Sequence, residues 1–341
     1  MHEQREGFVT GGTWCVDRNK LLEFWPTEDG IARILAVEQR GGGSGCNFAV
    51  DIRRLDPTMA VATIGLVGDD EDGRFLIAEA DAHGIEREHL AVTAEAPTQY
   101  TEAYGSLKTG RRTHLYFQGT AALLTPEHFA GLERLGGRLF RLGLPGVHPA
   151  MDMPWGEAAN GWVAVLRQAQ AAELKTSLEL VSMESERIAM LGRPCLPYLD
   201  YLIVNDIEIG GLSGEATIRA AGTNLNAVER AVRKVATLGS MELVVAHFPT
   251  GAIAATRDGA LVRQPSLNVP GKEIIAANGA GDAFAAGTLY AIHQGWNVSD
   301  ALVLGHAAAA ASLRALSTTG AVETWQECLA LVRRWGTRES L

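Results

Sequence analysis

The sequence is poor in the features that would tie it to nucleic acid, to a membrane or to a structural metal. It has no extended run of Lys or Arg, and over its 341 residues the formal net charge is -10. Without clustered cations to displace counterions from a phosphate backbone, a nucleic-acid partner is excluded. The four cysteines, Cys15, Cys46, Cys195 and Cys328, include no C-x-x-C pair, and the nine histidines no H-x-x-x-H pair. Scattered thiols of this kind read as reduced cysteines in a cytoplasmic protein, not as disulfides or a zinc site. No apolar run is long enough to span a bilayer, and the charged start His2-Glu3-Gln4-Arg5-Glu6 lacks a secretory h-region, so neither a membrane partner nor export is expected. Two nucleotide motifs are missing as well. There is no Gly-x-x-x-x-Gly-Lys-Ser/Thr, which rules out a P-loop kinase. There is also no Gly-x-Gly-x-x-Gly followed by an acidic residue about twenty positions on, which argues against a dinucleotide-dependent oxidoreductase.

What the chain does have is strand and helix signals in alternation. Ala60–Val67, Tyr201–Val204 and Leu243–Ala246 have the length and β-branched content of buried strands. Between them, Gly73–His83, Asn224–Leu238 and Asp282–Gln294 read as helices, each stopped by a glycine able to turn left-handed: Gly84, Gly239 and Gly295. Thr324-Trp325-Gln326-Glu327 supplies a capping box for a last helix. This alternation predicts an α/β fold, a mostly parallel sheet covered on both faces. No repeat or low-complexity linker splits the chain, so residues 1–341 are expected to form a single domain. Residues 8–40 and 96–120 break the rhythm: they look like strands exposed on one face, with Lys108-Thr109-Gly110-Arg111 as a hairpin turn. Parts of both are expected to pair into a small sheet projecting over the strand ends as a lid, although edge strands of the main sheet fit the pattern nearly as well.

Two glycine-rich segments carry chemistry. Asn278-Gly279-Ala280-Gly281-Asp282 runs straight into Ala283-Phe284-Ala285-Ala286-Gly287, a tight turn opening a helix. Such a turn leaves convergent backbone N–H groups at the positive end of a helix dipole, an anion hole of phosphate size. Asp282 at its edge is placed to take a proton from a hydroxyl beside the phosphate, or simply to cap the helix. Near the amino terminus, Gly41-Gly42-Gly43-Ser44-Gly45-Cys46-Asn47 precedes another helix. Its glycines admit a ligand to the backbone, and the Asn47 amide can both donate to and accept from a polyol hydroxyl.

Together these blocks resemble the ribokinase-like, or PfkB-type, carbohydrate kinases, in the family's order and over nearly the whole chain. Gly42-Gly43-Ser44-Gly45-Cys46-Asn47 is similar to the sugar-binding Gly-Gly-x-x-x-Asn, and Asp17 to the early substrate aspartate. Gly65-Leu66-Val67-Gly68-Asp69-Asp70-Glu71-Asp72-Gly73 resembles the Gly-x-Val-Gly-x-Asp-x-x-Gly block, and Gly84-Ile85-Glu86 the Gly-Ile-Asp that follows. Asn205-Asp206-Ile207-Glu208 matches Asn-x-x-Glu, tied to magnesium and phosphate, and Gly279-Ala280-Gly281-Asp282 the anion hole and catalytic base. His306 and the alanines after it resemble the stretch packed by adenine, and Thr250-Gly251 stands at the nucleotide turn. The resemblance implies a central, mostly parallel sheet flanked by helices with a small β-sheet lid. It implies transfer of the ATP γ-phosphoryl group to a hydroxyl of a sugar or sugar acid, with Asp282 as base. Mg2+ would be held by Glu208 through water. A homodimer through the lids is a further implication.

The chain also departs from the family pattern. Ala276-Ala277-Asn278 stands where many members have Asp-Thr-Thr, and the missing carboxylate argues against potassium activation. His247-Phe248-Pro249-Thr250-Gly251 replaces Thr-x-Gly-x-x-Gly, and Ser177–Ser182 offers Glu179 without the usual arginine. Ribokinase proper has Asn at Cys15 and Lys at Ser44, so ribose is not assigned. A nucleoside kinase stays open, since Trp14, Trp25, Tyr100, Tyr104 and Phe117 can build a slot for a base. So does a catalytically weak ligand-binding member, against which the intact Gly279–Asp282 segment counts.

Overall fold

The computed structural model describes residues 6–110, 112–220 and 222–341. Residues 2–5 of the charged start, and Arg111 of the expected hairpin turn, lie outside these ranges. In chain order the early strands are β1 (Phe8–Gly12), β2 (Cys15–Leu22), β3 (Ile34–Gly42), β4 (Val61–Gly68), β5 (Glu86–Thr93), β6 (Tyr100–Ser106) and β7 (Arg112–Phe117). Then come β8 (Leu139–Gly143), β9 (Lys175–Leu178), β10 (Tyr201–Asn205), a short ribbon of β11 (Ile218–Arg219) and β12 (Gly222–Thr223), β13 (Leu243–Phe248), β14 (Gly251–Thr256) and β15 (Leu261–Pro265). The helices are α1 (Ser44–Leu55), α2 (Glu71–Ala82), α3 (Pro149–Asp152), α4 (Gly161–Ala171), α5 (Ser185–Gly192), α6 (Asp206–Ser213), α7 (Leu225–Ala236), α8 (Ala280–His293), α9 (Val298–Ser312) and α10 (Trp325–Trp335). Among the described residues no helix is long and apolar enough to cross a membrane.

A nine-stranded sheet runs β15-β14-β13-β10-β9-β8-β1-β4-β5. From β13 to β5 every pairing is parallel, and β14 and β15 close one edge as antiparallel strands. Neighbouring strand residues divide between two cores, as the period of two requires. Phe8, Ile203 and Val245 face one core with Phe48, Phe284 and Leu289. Val9, Leu202 and Val244 face the other with Trp162, Phe140 and Val228. Each such side chain contributes about 1.5–3 kcal/mol by leaving water, so Phe140→Ala, at a fully buried ring, would cost about 3–5 kcal/mol. The four cysteines are free and buried.

A four-stranded sheet, β3-β2-β6-β7, stands apart from the large one. β2 pairs antiparallel with β3 and parallel with β6, and β6 pairs antiparallel with β7. The Lys108–Gly110 turn joins β6 to β7, with Gly110 left-handed at φ 66. Asp70 caps α2 by accepting from Gly73 N at 2.8 Å and also receives Thr98 N at 2.7 Å, which fixes the approach to β6.

Two expectations are corrected here. Phe8–Gly12, within the stretch expected to be exposed on one face, is a fully buried strand in the middle of the large sheet. Its polar residue Thr10 is satisfied by Thr63 Oγ1 at 2.8 Å, directly opposite in register on β4. Gly239 does not take the left-handed conformation, unlike Gly84 and Gly295. The helix ends earlier, at Ala236, and the hydrogen that Gly239 carries in place of a side chain lets the chain pass close to the Leu196 carbonyl.

Candidate active site

The parallel strands end in a row, and the polar residues of the site leave from those ends, where open α/β sheets bind ligands. α8 starts beside them. Gly279 is its N-cap at φ 70, and a side chain there would run into the Thr318 backbone, so glycine is required. Asp282 is the third residue of the helix and does not itself cap it. The first turn of the helix bonds from Ala283 N back to Gly279 O at 2.9 Å, leaving the N–H groups of Ala280, Gly281 and Asp282 without partners inside the helix.

Asp282 Oδ2 accepts from Asn47 Nδ2 at 2.9 Å, across 235 residues of sequence. Asn47 is fixed in turn by Thr318 Oγ1, which donates to Asn47 Oδ1 at 3.0 Å. Removal from water pushes the Asp282 carboxyl above its ordinary range, while Asn47 and the Arg141 guanidinium pull it back down. Glu179 lies against Asp282, and two pulls oppose each other there. Arg141 holds Glu179 Oε2 from Nε at 3.2 Å and from Nη2 at 3.0 Å, favouring the anion. Burial, with the charge of Asp282 next to it, outweighs this and carries Glu179 up to about 8. A side-chain hydrogen bond between the two carboxyls raises Glu179 further and lowers Asp282.

The glycine turn before α1 packs directly on Asp17. A Cβ on Gly42 would collide with the Asp17 carboxylate, and Gly43 caps α1 at φ 87, with Thr13 where a side chain would go. Asp17 has weak company: the Cys15 thiol donates to Oδ1 at 3.6 Å, and Thr101 from β6 also bonds it. Burial pushes Asp17 up to about 7, against the pull of those donors and with help from Asp282.

Asn205 and Glu208 form a capping box at the start of α6. Asn205 Oδ1 accepts from Glu208 N at 2.9 Å, and Glu208 Oε2 from Asn205 N at 3.0 Å. Ser182 Oγ donates to Glu208 Oε1 at 3.0 Å. Burial lifts Glu208 to about 7, with a further push from Asp282. Among the described residues no group of His, Cys, Asp and Glu is arranged to hold a metal by itself. Mg2+ usually keeps most of its waters and takes one or two carboxylates beside the phosphates, so Asn205 and Glu208 fit contact through water.

The nucleotide-side residues are less tightly joined. Pro249 and Thr250 form the turn from β13 to β14, Gly251 opens β14, and the Thr250 carbonyl accepts from Ser266 N at 3.0 Å. No hydrogen bond among the described residues ties them to Asp282. His306 approaches Gln264 O at 3.2 Å through Nε2 and stacks edge-on against Phe284, whose other neighbour is His247. Burial holds His247 down at about 3 and His306 at about 4, so both are neutral.

With this geometry in place the comparisons are decisive. A family model described as "pfkB family carbohydrate kinase" matches residues 13–325. The chain belongs to that family. It is 24% identical to a 5-dehydro-2-deoxygluconokinase of Listeria innocua, over 97% of each chain. It is 34% identical to an adenosine kinase of Schizosaccharomyces pombe, over a third of each. The structure of ribokinase from Thermotoga maritima superposes with a TM-score of 0.75 at 20% identity, covering 96% of this chain and 99% of that one. The Arabidopsis thaliana ribokinase complexed with ribose and ATP superposes equally well, at 18% identity over 96% and 99%. The fold is ribokinase-like and the protein is a kinase.

Several polar groups of this kinase site escaped the sequence. Arg141 arrives from β8, where it pairs in register with Ser177. An arginine inside the buried run Leu139-Phe140-Arg141-Leu142 was the available signal. Asn278 is a meeting point. Its Oδ1 accepts from Arg112 Nη1 of β7, and its Nδ2 donates to Asn19 Oδ1 of β2 and to Leu316 O, both at 3.4 Å. The smaller sheet thus reaches the residue just before the anion hole.

Proposed function

We propose that the protein transfers the γ-phosphoryl group of ATP to a hydroxyl of a small sugar or sugar acid bound between Asp17, Asn47 and Asp282, beneath the smaller sheet acting as a lid. The observation that carries this reading is the Asn47–Asp282 hydrogen bond, because it joins the polyol-binding turn to the anion hole at one pair of atoms. In this reading Asp282 takes the proton of the attacking hydroxyl. Burial raises its basicity, and Asn47 and Arg141 pull against that rise. The N–H groups of Ala280, Gly281 and Asp282 stabilise charge on the transferring phosphoryl oxygens. Gly42 leaves room for the Asp17 carboxylate, which accepts hydrogen bonds from the acceptor's hydroxyls.

Mg2+ bound with the nucleotide would neutralise its phosphates, with Asn205 and Glu208 holding its waters. Thr250, Gly251 and His306 would flank the nucleoside part of ATP. A nucleoside as acceptor is the second reading, favoured by the adenosine kinase similarity and by Tyr116, which stands in register with Asp17 and Thr101 on the same face of the smaller sheet. The test is ADP release on adding sugars, sugar acids and nucleosides to enzyme with Mg-ATP. At least one acceptor should stimulate it, and Asp282→Asn should abolish that stimulation. Release that no acceptor stimulates would instead mark a ligand-binding member.

A further inference from the structure

The chain passes between the large sheet and the smaller one four times: at Thr13-Trp14 between β1 and β2, at Gly43 between β3 and α1, through residues 94–99 between β5 and β6, and through residues 118–122 after β7. Away from these crossings, on the inner face of the smaller sheet, Asn19 and Arg112 bond to Asn278 beside the anion hole. At the crossings a single side chain from the loop after β8 collects the bonds. His148 stands just before α3 and is 2% exposed. Its Nε2 meets Thr13 Oγ1 at 2.7 Å, and its Nδ1 meets Ala121 O at 3.1 Å. One ring thus joins the first crossing to the last.

Those two bonds fix the state of the ring. A carbonyl oxygen only accepts, so Nδ1 carries the proton and Nε2 accepts from the Thr13 hydroxyl. Burial pushes His148 down to about 4, which keeps it in this neutral form. The other two crossings are tied to the same partners. Thr13 O accepts from Gly45 N at 3.0 Å and from Cys46 N at 3.4 Å, and the Thr13 side chain fills the space beside Gly43. Thr120, next to Ala121, donates from its backbone N to Pro97 O at 2.9 Å and accepts from Gln99 N at its hydroxyl at 3.4 Å. On its other side the His148 ring stands edge-on to Trp162 of α4, with centroids 5.7 Å apart.

We infer, on the reading above that the smaller sheet is a lid over the acceptor, that His148 is a positioning residue: through Thr13 and Ala121 it holds the lid's crossings together, so that the lid moves as one body and the Gly43 turn stays set for the acceptor. A hydroxyl aimed at Nε2 keeps Thr13 in one rotamer, and the Thr13 carbonyl and methyl then have one place against the start of α1. Thr13 and His148 are both buried, so breaking their bond leaves polar atoms that water does not reach. A small sheet opens when its attachments give, without the large sheet having to unfold. A bond at the crossings therefore governs the lid more than it governs the stability of the whole fold.

The test compares the intact wild-type protein with three variants. Thr13→Val keeps the shape and removes the hydroxyl, Thr13→Ser restores the hydroxyl, and His148→Asn keeps a donor for Ala121 O while its shorter side chain gives up the bond to Thr13. Peptide-resolved hydrogen exchange reads the lid with no ligand present. Exchange in β2, β3, β6 and β7 should quicken at least about fivefold in Thr13→Val and His148→Asn. It should stay near wild type in Thr13→Ser, and α4 and β8 should be unchanged in all three. Quickening confined to α4, or spread evenly over both sheets, would make His148 a packing residue beside Trp162 and overturn the inference. The second readout is steady-state ADP release with Mg-ATP and whichever of glucose, gluconate, ribose and adenosine stimulates it. Thr13→Val should raise KM for that compound about three- to tenfold, with kcat and the KM for ATP nearly unchanged. A fall in kcat at constant KM overturns the positioning role and leaves the kinase reading standing. If no compound stimulates release, the acceptor reading falls, and the exchange pattern still decides whether His148 holds the smaller sheet.

Discussion

On the floor of the site, Asp282, Asn47, Glu179 and Arg141 hold one another through direct bonds and lie largely out of water. On the inner wall of the lid, Arg40, Arg112, His114 and Tyr116 stand exposed, and a single floor residue, Asn278, receives the lid's bonds to the anion-hole turn. The floor is fixed by buried strands and helix starts whose side chains have one arrangement each. On the inner face of the lid Asn19 and Arg112 are bonded to Asn278, while Arg40, His114 and Tyr116 are exposed. On the proposed function, chemistry belongs to the first and selection to the second. A loss of turnover without loss of binding should therefore come from floor substitutions, and a change of acceptor preference from lid substitutions.

The largest effect is expected at Asp282. Asp282→Asn keeps the shape of the site and its hydrogen bond to Asn47 while removing the base, and loss of a general base costs about 10²–10⁴-fold in turnover. ATP affinity measured by calorimetry should be nearly unchanged. A variant keeping half of wild-type turnover would take Asp282 out of the mechanism and erase the distinction between floor and lid.

At the root of the lid, Asp17→Ala should weaken acceptor binding by about 1.5–3 kcal/mol, the range of a hydrogen bond to a charged group, and leave ATP affinity in place. The reverse pattern, with ATP affinity lost and acceptor affinity kept, would move Asp17 to the nucleotide side.

How much of this was legible in the sequence follows the same division. Gly43 and Gly279 announce their turns because left-handed backbone and close approach admit little else, so both helix starts and the residues they place, Asn47 and Asp282, could be read locally. Capping at Thr324 and Asn205 is equally local. What could not be read depends on register between distant strands. Arg141 meets Glu179 only because β8 lies beside β9, and Arg112 and Asn19 meet at Asn278 only because the smaller sheet folds over the anion hole. Thr10 and two glycines dilute the apolar pattern of Phe8–Gly12, so its burial on both faces is not legible locally. Its burial depends on Thr63, which reaches it from another strand. Thr250 and Gly251 are legible only by their position in a motif, and the bond that fixes the Thr250 backbone comes from Ser266.

A smaller effect is expected at Arg112. Arg112→Ala removes the lid's charged bond to Asn278 and leaves Asn19 in place, so lid closure should weaken without disturbing the floor. An exposed charged contact is worth about 0–1 kcal/mol, and KM for the acceptor should rise by no more than roughly fivefold with kcat nearly constant. A fall in kcat of a hundredfold at unchanged KM would place Arg112 on the reacting phosphoryl group and make the lid part of the chemistry.

The smallest expected effect is none at all. A monovalent cation near the anion hole needs several oxygens with lone pairs to spare, one of them anionic by preference. Here Ala276 offers no carboxylate, and the nearby carbonyls already accept from N–H groups. Leu313 O takes Ile275 N at 2.8 Å and Ala276 N at 3.3 Å, and Leu316 O takes the Asn278 side-chain amide at 3.4 Å. Turnover should therefore stay flat when potassium replaces a bulky organic cation at fixed ionic strength and saturating magnesium, conditions that hold general screening constant. A severalfold rise specific to potassium would mean that Asn278 swings away and frees Leu316 O, and Asn278→Ala should then enlarge the response. With the response flat in both proteins, Asn278 serves the lid alone.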